Sequence, residues 1–142
     1  MGLPAVCEAA KRALIALGGA RVDQPVAVVG AKGFIGGHLV SMFEAEGREV
    51  VALDRGDSLG VLRKLDFVVA AASSAGVLTT RHIESSHKVL DLGFEKTKSA
   101  TVTGNLSVAA LHKAKYATPV PGGMGPAQMA VLLERYFTVV MD

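Results

Sequence analysis

The 142-residue chain has one cysteine, Cys7, no tryptophan and only 5% aromatic residues. A single thiol excludes an internal disulfide framework and a cysteine-only metal site. His38, His82, His87 and His112 show no metal-ligand spacing, so no metal is expected. Charge is nearly balanced: 15 Lys+Arg against 13 Asp+Glu give a net +2. Nothing in that balance favours a nucleic-acid partner. The longest apolar runs, such as Phe67 to Ala72, are far too short to cross a bilayer. Pro4, Glu8, Lys11 and Arg12 interrupt the stretch that a signal peptide would need. The expectation is a cytoplasmic protein without a membrane partner.

What is present is ordinary globular material, 50% hydrophobic and 20% charged, with 16 glycines. The length suits a single domain, residues 1–142. Val6, Ala10, Ala13, Leu14 and Leu17 predict a helix over residues 4–17, stopped at Gly18-Gly19. Short apolar, β-branched runs predict buried strands at Pro25–Val29, Glu49–Leu53, Phe67–Ala72, Lys88–Leu92 and Tyr116–Val120. A helix with Ile35, Leu39, Met42 and Phe43 on one face lies between the first two. Leu59–Leu65 reads as a short helix or an irregular connection. Asn105 reads as the N-cap of a helix through about Ala114. Pro126 reads as the first residue of a final helix, whose stripe runs from Met129 to Val140 and is widened by Val131, Val139 and Met141. Lys96 and Lys98 read as a solvated hairpin or loop, and Cys7 as a small buried hydrophobe. Strands alternating with helices give an α/β class, a doubly wound, mainly parallel sheet of about five strands with helices on both faces.

Gly30, Gly33 and Gly36 follow the first strand and open the next helix, spaced G-x-x-G-x-x-G. A diphosphate approaching bare N–H groups at a helix N-terminus needs residues without Cβ there. Asp54 ends the second strand, 24 residues after Gly30, where a carboxylate can accept hydrogen bonds from a ribose. The bland alternatives are a tight turn for the glycines, and pairing with Arg55 or Arg48 for Asp54. Ser73 and Ser74 follow the third strand, at the sheet edge where ligands bind in open α/β folds. The same glycine spacing occurs in extended short-chain dehydrogenases. Those need Tyr followed four residues later by Lys, and here Tyr116 and Tyr136 are followed at that offset by Val120 and Val140.

The stretch Thr118-Pro119-Val120-Pro121-Gly122-Gly123-Met124-Gly125-Pro126 holds more proline and glycine than a turn requires. It resembles the P-V-P-G-G-V-G-P signature of the bifunctional methylenetetrahydrofolate dehydrogenase/methenyltetrahydrofolate cyclohydrolase family. Upstream, Val68 to Leu78, Asp91-Leu92-Gly93, Gly104-Asn105-Leu106-Ser107 and Val28-Val29-Gly30 with Gly36 resemble further elements of that family, in order.

The resemblance implies a Rossmann-like NAD(P)-binding domain. With the residues read above, the cofactor-binding candidates are Gly30, Ala31, Lys32, Gly33, Gly36, Asp54, Arg55, Ser73, Ser74 and Gly93, to which the resemblance adds Pro121, Gly122, Gly123 and Gly125. The proline–glycine loop would lie near both nicotinamide and a tetrahydrofolate derivative, in a cleft shared with the family's N-terminal catalytic domain. The Tyr and Lys of that domain have no counterpart in this sequence, so no catalytic residue is assigned. Where the family has Arg and Ser after the first glycine, this chain has Ala31 and Lys32. Losing the Arg and keeping Asp54 favours NAD over NADP, against a weaker contrary pull from Lys32. The expected partners are the dinucleotide and either a second copy of the chain or a separate catalytic chain. Without that other wall, NAD(P)-dependent oxidation of methylenetetrahydrofolate and the cyclohydrolase step are not expected. The competing reading is a non-catalytic binding or regulatory module of the same descent.

Overall fold

The computed structural model describes residues 3–96, 98–99 and 101–141, with residues 139–141 followed by their backbone alone. Seven strands and four α-helices are present among them: α1 (Ala5–Ala16), β1 (Val26–Val29), α2 (Phe34–Ala45), β2 (Val50–Leu53), β3 (Phe67–Ala70), β4 (Lys88–Asp91), β5 (Glu95–Lys96), β6 (Val102–Thr103), α3 (Val108–Lys113), β7 (Tyr116–Ala117) and α4 (Met124–Met141). A 3₁₀-helix, Leu59–Lys64, joins β2 to β3. Five strands form one sheet in the order β2-β1-β3-β4-β7. Every pairing in it is parallel, with Val29 opposite Leu53 on one side and Ala70 on the other.

Alternate strand residues feed two separate cores, as the period of two demands. Val26, Val28, Phe67, Val69 and Leu90 pack with Cys7, Ala10 and Leu14 of α1, Leu39 and Phe43 of α2, and Val131 of α4. Ala27, Val29, Val68, Ala70 and Val89 pack with Leu62, Leu78, Ile83, Leu106 and Ala110 on the opposite face. Both faces are therefore covered, and the central strands β1 and β3 are buried along their whole length.

Several expectations shift. The helix cap is Ser107, whose hydroxyl accepts from the Ala110 N–H at 3.2 Å, and not Asn105. Asn105 faces inward because a better set of partners waits there. The fifth strand stops at Ala117, because the Thr118 hydroxyl turns in to accept from the Asp91 N–H at 2.8 Å. The final helix begins at Met124, which makes Pro126 its third residue. A missing N–H costs nothing there, since the first four N–H groups have no intrahelical acceptor. Lys96 does lie on a hairpin, paired to Val102 across an exposed antiparallel ribbon. Val139 and Met141, together with Val140, fall outside the described side chains.

Helix α4 packs along α1, and ion pairs border the contact. Arg135 donates to Glu8 at 2.7 Å, and Arg12 donates to Glu134 at 2.7 Å and to Glu8 at 3.0 Å. Arg135, and secondarily Arg12, hold the Glu8 carboxyl below its ordinary value, and Arg12 does the same for Glu134. Groups whose pKa is depressed in the fold stabilise it above their unfolded pKa, and that support fades as pH falls through the folded value. Acidification through and below the usual glutamate range should therefore loosen α4 first, by a small amount because the pairs are exposed. Amide exchange along α4 as a function of pH reads this, and Arg12→Met should flatten the dependence.

Candidate dinucleotide site

The parallel sheet reverses its winding between β1 and β3: the chain leaves β1 for β2 on one side and then crosses to β3 on the other. At such a switch point the loops beyond the strand C-termini splay apart and leave a crevice. A cleft of roughly 640 Å³ opens there, lined by the ends of β1, β2 and β3 and by the start of α2.

The glycine loop forms its base. Gly30 has φ +88°, and a Cβ on it would fall against the Ala71 carbonyl. The positive φ turns the chain sharply out of β1, and only glycine holds it without strain. A Cβ on Gly36 would strike the Gly30 carbonyl, so α2 packs directly on the turn. Gly33 caps α2 without any side-chain hydrogen bond. The first N–H groups of the helix are thus bare, and they carry the positive end of the helix dipole.

Asp54 stands beside the glycine loop, at the end of β2. Its Oδ2 accepts from the Lys32 N–H at 2.7 Å, and its Oδ1 from the Arg55 N–H at 2.7 Å. These two backbone donors, Arg55 first, hold its carboxyl below the ordinary aspartate value. Asp54 therefore stays ionised at neutral pH and ties the end of β2 to the glycine loop. It does not pair with Arg48, whose buried guanidinium donates to the Gly19 and Gln24 carbonyls. The Arg55 guanidinium reaches toward the Ser73 hydroxyl at 3.5 Å.

The sequence-predicted residues divide into groups. Gly30, Lys32, Gly33, Asp54, Arg55, Ser73 and Ser74 line this cleft together. Gly93, Pro121, Gly122, Gly123 and Gly125 line a second, smaller pocket of about 190 Å³, under the proline–glycine loop. Ala31 and Gly36 line neither: Ala31 packs against the core and Gly36 is buried behind the turn. Phe34, Asp57, Leu59 and Val77 also line the larger cleft and were not anticipated. Phe34 carried a signal, since an apolar residue in the first turn beside the glycines is misplaced for a core; it is 75% exposed. Among the described residues no group of His, Cys, Asp and Glu is placed to hold a metal ion. No helix of the described residues is long and apolar enough to cross a membrane.

Beside the smaller pocket, Asp91 is buried at the end of β4, and its carboxylate accepts from the N–H groups of Gly93, Asn105 and Leu106 at 2.9–3.0 Å. Burial pushes this carboxyl above its ordinary value, against the three donors that pull it back. Burial likewise raises the Cys7 thiol to about 11, so this cysteine is an inert core residue.

Comparison with known proteins agrees with this geometry. The model of the tetrahydrofolate dehydrogenase/cyclohydrolase NAD(P)-binding domain matches residues 4–142. The bifunctional protein FolD of Nocardia farcinica is 33% identical over 132 residues, 91% of this chain and 45% of its own length. The crystal structure of the Campylobacter jejuni methylenetetrahydrofolate dehydrogenase/cyclohydrolase superposes with TM-score 0.82 at 26% identity, over 93% of this chain and 48% of that one. The Trypanosoma brucei enzyme, complexed with NADP and an inhibitor, gives TM-score 0.78 at 25% identity over the same shares. The chain thus spans about half the length of the relatives it matches. With the glycine turn, the switch-point cleft and the proline–glycine loop each in place, the chain belongs to the tetrahydrofolate dehydrogenase/cyclohydrolase NAD(P)-binding domain family.

Proposed function

We propose that the larger cleft binds NAD through its diphosphate, and that the chain contributes the dinucleotide side of a folate-oxidising site. One observation carries this most: the uncapped first turn of α2 opens on a cleft that also holds an ionised Asp54. Bare amides and a helix dipole attract an anion, while a carboxylate accepts from ribose hydroxyls and disfavours a 2′-phosphate. When bound, the dinucleotide supplies a hydride acceptor. The residues of this chain hold and orient it: Gly30 to Gly36 the diphosphate, Asp54 the adenosine ribose, and the pocket formed by Gly93 and Pro121 to Gly125 the nicotinamide end. Lys32 and Arg55 flank Asp54 and favour a second reading, in which NADP is accepted as well.

Tyr116 and Tyr136 line neither pocket. Oxidation of methylenetetrahydrofolate therefore requires reacting groups from another domain or chain, since hydride transfer needs both carbons positioned together. The outward face of α4 supports such a partner, or a second copy. Met129, Leu132, Leu133, Tyr136 and Phe137 are exposed there, while the helix turns both of its charges toward α1. A contiguous apolar face of this kind marks an interaction surface. The cytoplasm, where such soluble cofactors circulate, is the proposed location.

Calorimetric titration with both dinucleotides tests the reading. NAD should bind more tightly than NADP, and at a hundredfold excess over Kd it should stabilise the fold by about 2.7 kcal/mol. Asp54→Asn should weaken NAD by roughly tenfold or more, the scale of a charge-assisted hydrogen bond, and narrow the gap to NADP. Tighter NADP binding by the unmodified chain contradicts the preference, and no binding of either contradicts the function.

A further inference from the structure

Two motifs stand outside the lining of the larger cleft, Asp91-Leu92-Gly93, which lines the smaller pocket, and Gly104-Asn105, and the fold brings them into contact. A Cβ on Gly93 would strike the Asn105 side chain, and one on Gly104 would strike the Asp91 carboxylate. Glycine at both positions lets the backbone close around these two buried side chains. Asp91 fixes Asn105 by accepting its N–H at 2.9 Å. The Asn105 carboxamide then reaches the loop after β3. Its Oδ1 accepts from the Ala72 N–H at 2.8 Å, and its Nδ2 donates to the Ala72 carbonyl at 3.0 Å and the Ser74 carbonyl at 2.9 Å. Three of the four hydrogen-bonding positions of the amide are spent on this one loop.

That loop, Ala71 to Ser74, is a wall of the larger cleft. Beyond it the chain is zipped by backbone bonds: the Gly76 N–H donates to the Gly104 carbonyl, and the Leu78 N–H to the Asn105 carbonyl. Between Ala72 and Ala75 the holds described are side chains. Apart from Asn105 there are the Glu95 carboxylate, which accepts from the Ala75 N–H at 2.6 Å and sits on the exposed hairpin, and the Arg55 guanidinium, which reaches the Ser73 hydroxyl at 3.5 Å. In a planar trans peptide, pinning the Ala72 carbonyl also sets the Ser73 N–H, which points the opposite way.

We infer that Asn105 is a positioning residue of the dinucleotide cleft: its carboxamide, anchored by Asp91, fixes the Ala72–Ser74 backbone in the shape that receives the cofactor. The inference rests on the dinucleotide reading above. A leucine in its place would match it in size but offer neither the acceptor for the Ala72 N–H nor the donors for the Ala72 and Ser74 carbonyls.

The test compares NAD affinity and fold stability for the full chain, Asn105→Leu, Asn105→Ser and Ser107→Ala. Ser107 caps α3 away from the cleft, so its loss lowers stability without touching the loop. Both Asn105 variants should bind NAD at least tenfold more weakly, and amide exchange at Ala72 to Ser74 should accelerate in Asn105→Ser, while Ser107→Ala binds like the unmodified chain. In the unmodified chain the Asn105 side-chain NH₂ resonances should shift as NAD saturates, a reading that needs no variant to fold. Unchanged affinity in Asn105→Leu, equal weakening in Ser107→Ala, or static Asn105 resonances at saturation would overturn the inference while leaving the dinucleotide reading intact. Failure of the unmodified chain to bind either dinucleotide would overturn both.

Discussion

Replacing Gly36 with alanine is expected to destabilise the fold by about 2–3 kcal/mol, in the range of an overpacked core position, and to abolish dinucleotide binding. The added methyl has nowhere to go. It would meet the Gly30 carbonyl and the Ala31 Cα, both backbone atoms of the turn that forms the base of the cleft. Either α2 moves away from β1 or the turn opens, and both displace the bare amides from the diphosphate position. Gly37 supplies the contrast one residue later. A Cβ there meets only the Ala31 carbonyl at 3.7 Å, an ordinary contact. Gly37→Ala should be neutral or stabilising by up to about 1 kcal/mol, because alanine is the better helix former. Urea denaturation of the pair separates a steric requirement from a general tolerance of alanine in this helix.

Asp91→Ala should destabilise the chain by about 3 kcal/mol or more. It strands the N–H groups of Gly93, Asn105 and Leu106, and each buried orphan donor costs about 1–3 kcal/mol. Asp91→Asn should cost less than the alanine variant. Its carbonyl can replace Oδ1, which serves Gly93 and Asn105, but its NH₂ then confronts the Leu106 N–H that Oδ2 accepts. The ordering, aspartate over asparagine over alanine in the midpoint of urea unfolding, follows from counting satisfied donors. Equal stability of the two variants would contradict that count, because the asparagine carbonyl would then recover none of the donors that alanine strands.

The scaffold was legible because its signals are local. Apolar β-branched runs such as Val26–Val29 and Phe67–Ala70 can only be strands covered on both faces, and alternation with helices leaves only parallel crossovers. The glycine turn was legible for the same reason, since a close approach of backbones requires absent side chains at fixed spacing. What escaped was non-local. Asn105 has the residue type of a cap and sits just ahead of a helix, yet its partners lie more than 30 positions away, at Ala72 and Ser74. No periodicity reports such a bond. Asp54 was placed correctly at the end of β2, but its hold on the Lys32 amide depends on how two loops meet. The proline–glycine stretch reads as the nicotinamide and folate end and the glycine loop as the diphosphate end, and the structure gives the stretch a pocket of its own that Asp91 helps to line. A linear motif carries no distance between sites, and the sheet supplies that distance.

In the proposed complex the dinucleotide diphosphate rests on the uncapped first turn of α2. Backbone amide resonances of the ¹⁵N-labelled chain, followed through a titration with NAD, test it most directly. The account predicts large, saturable shifts at Gly33, Phe34, Ile35 and Gly36, with smaller ones at Arg55 and Ser73. Saturable shifts confined to the outer face of α4, with the amides of residues 33–36 unmoved, would contradict it.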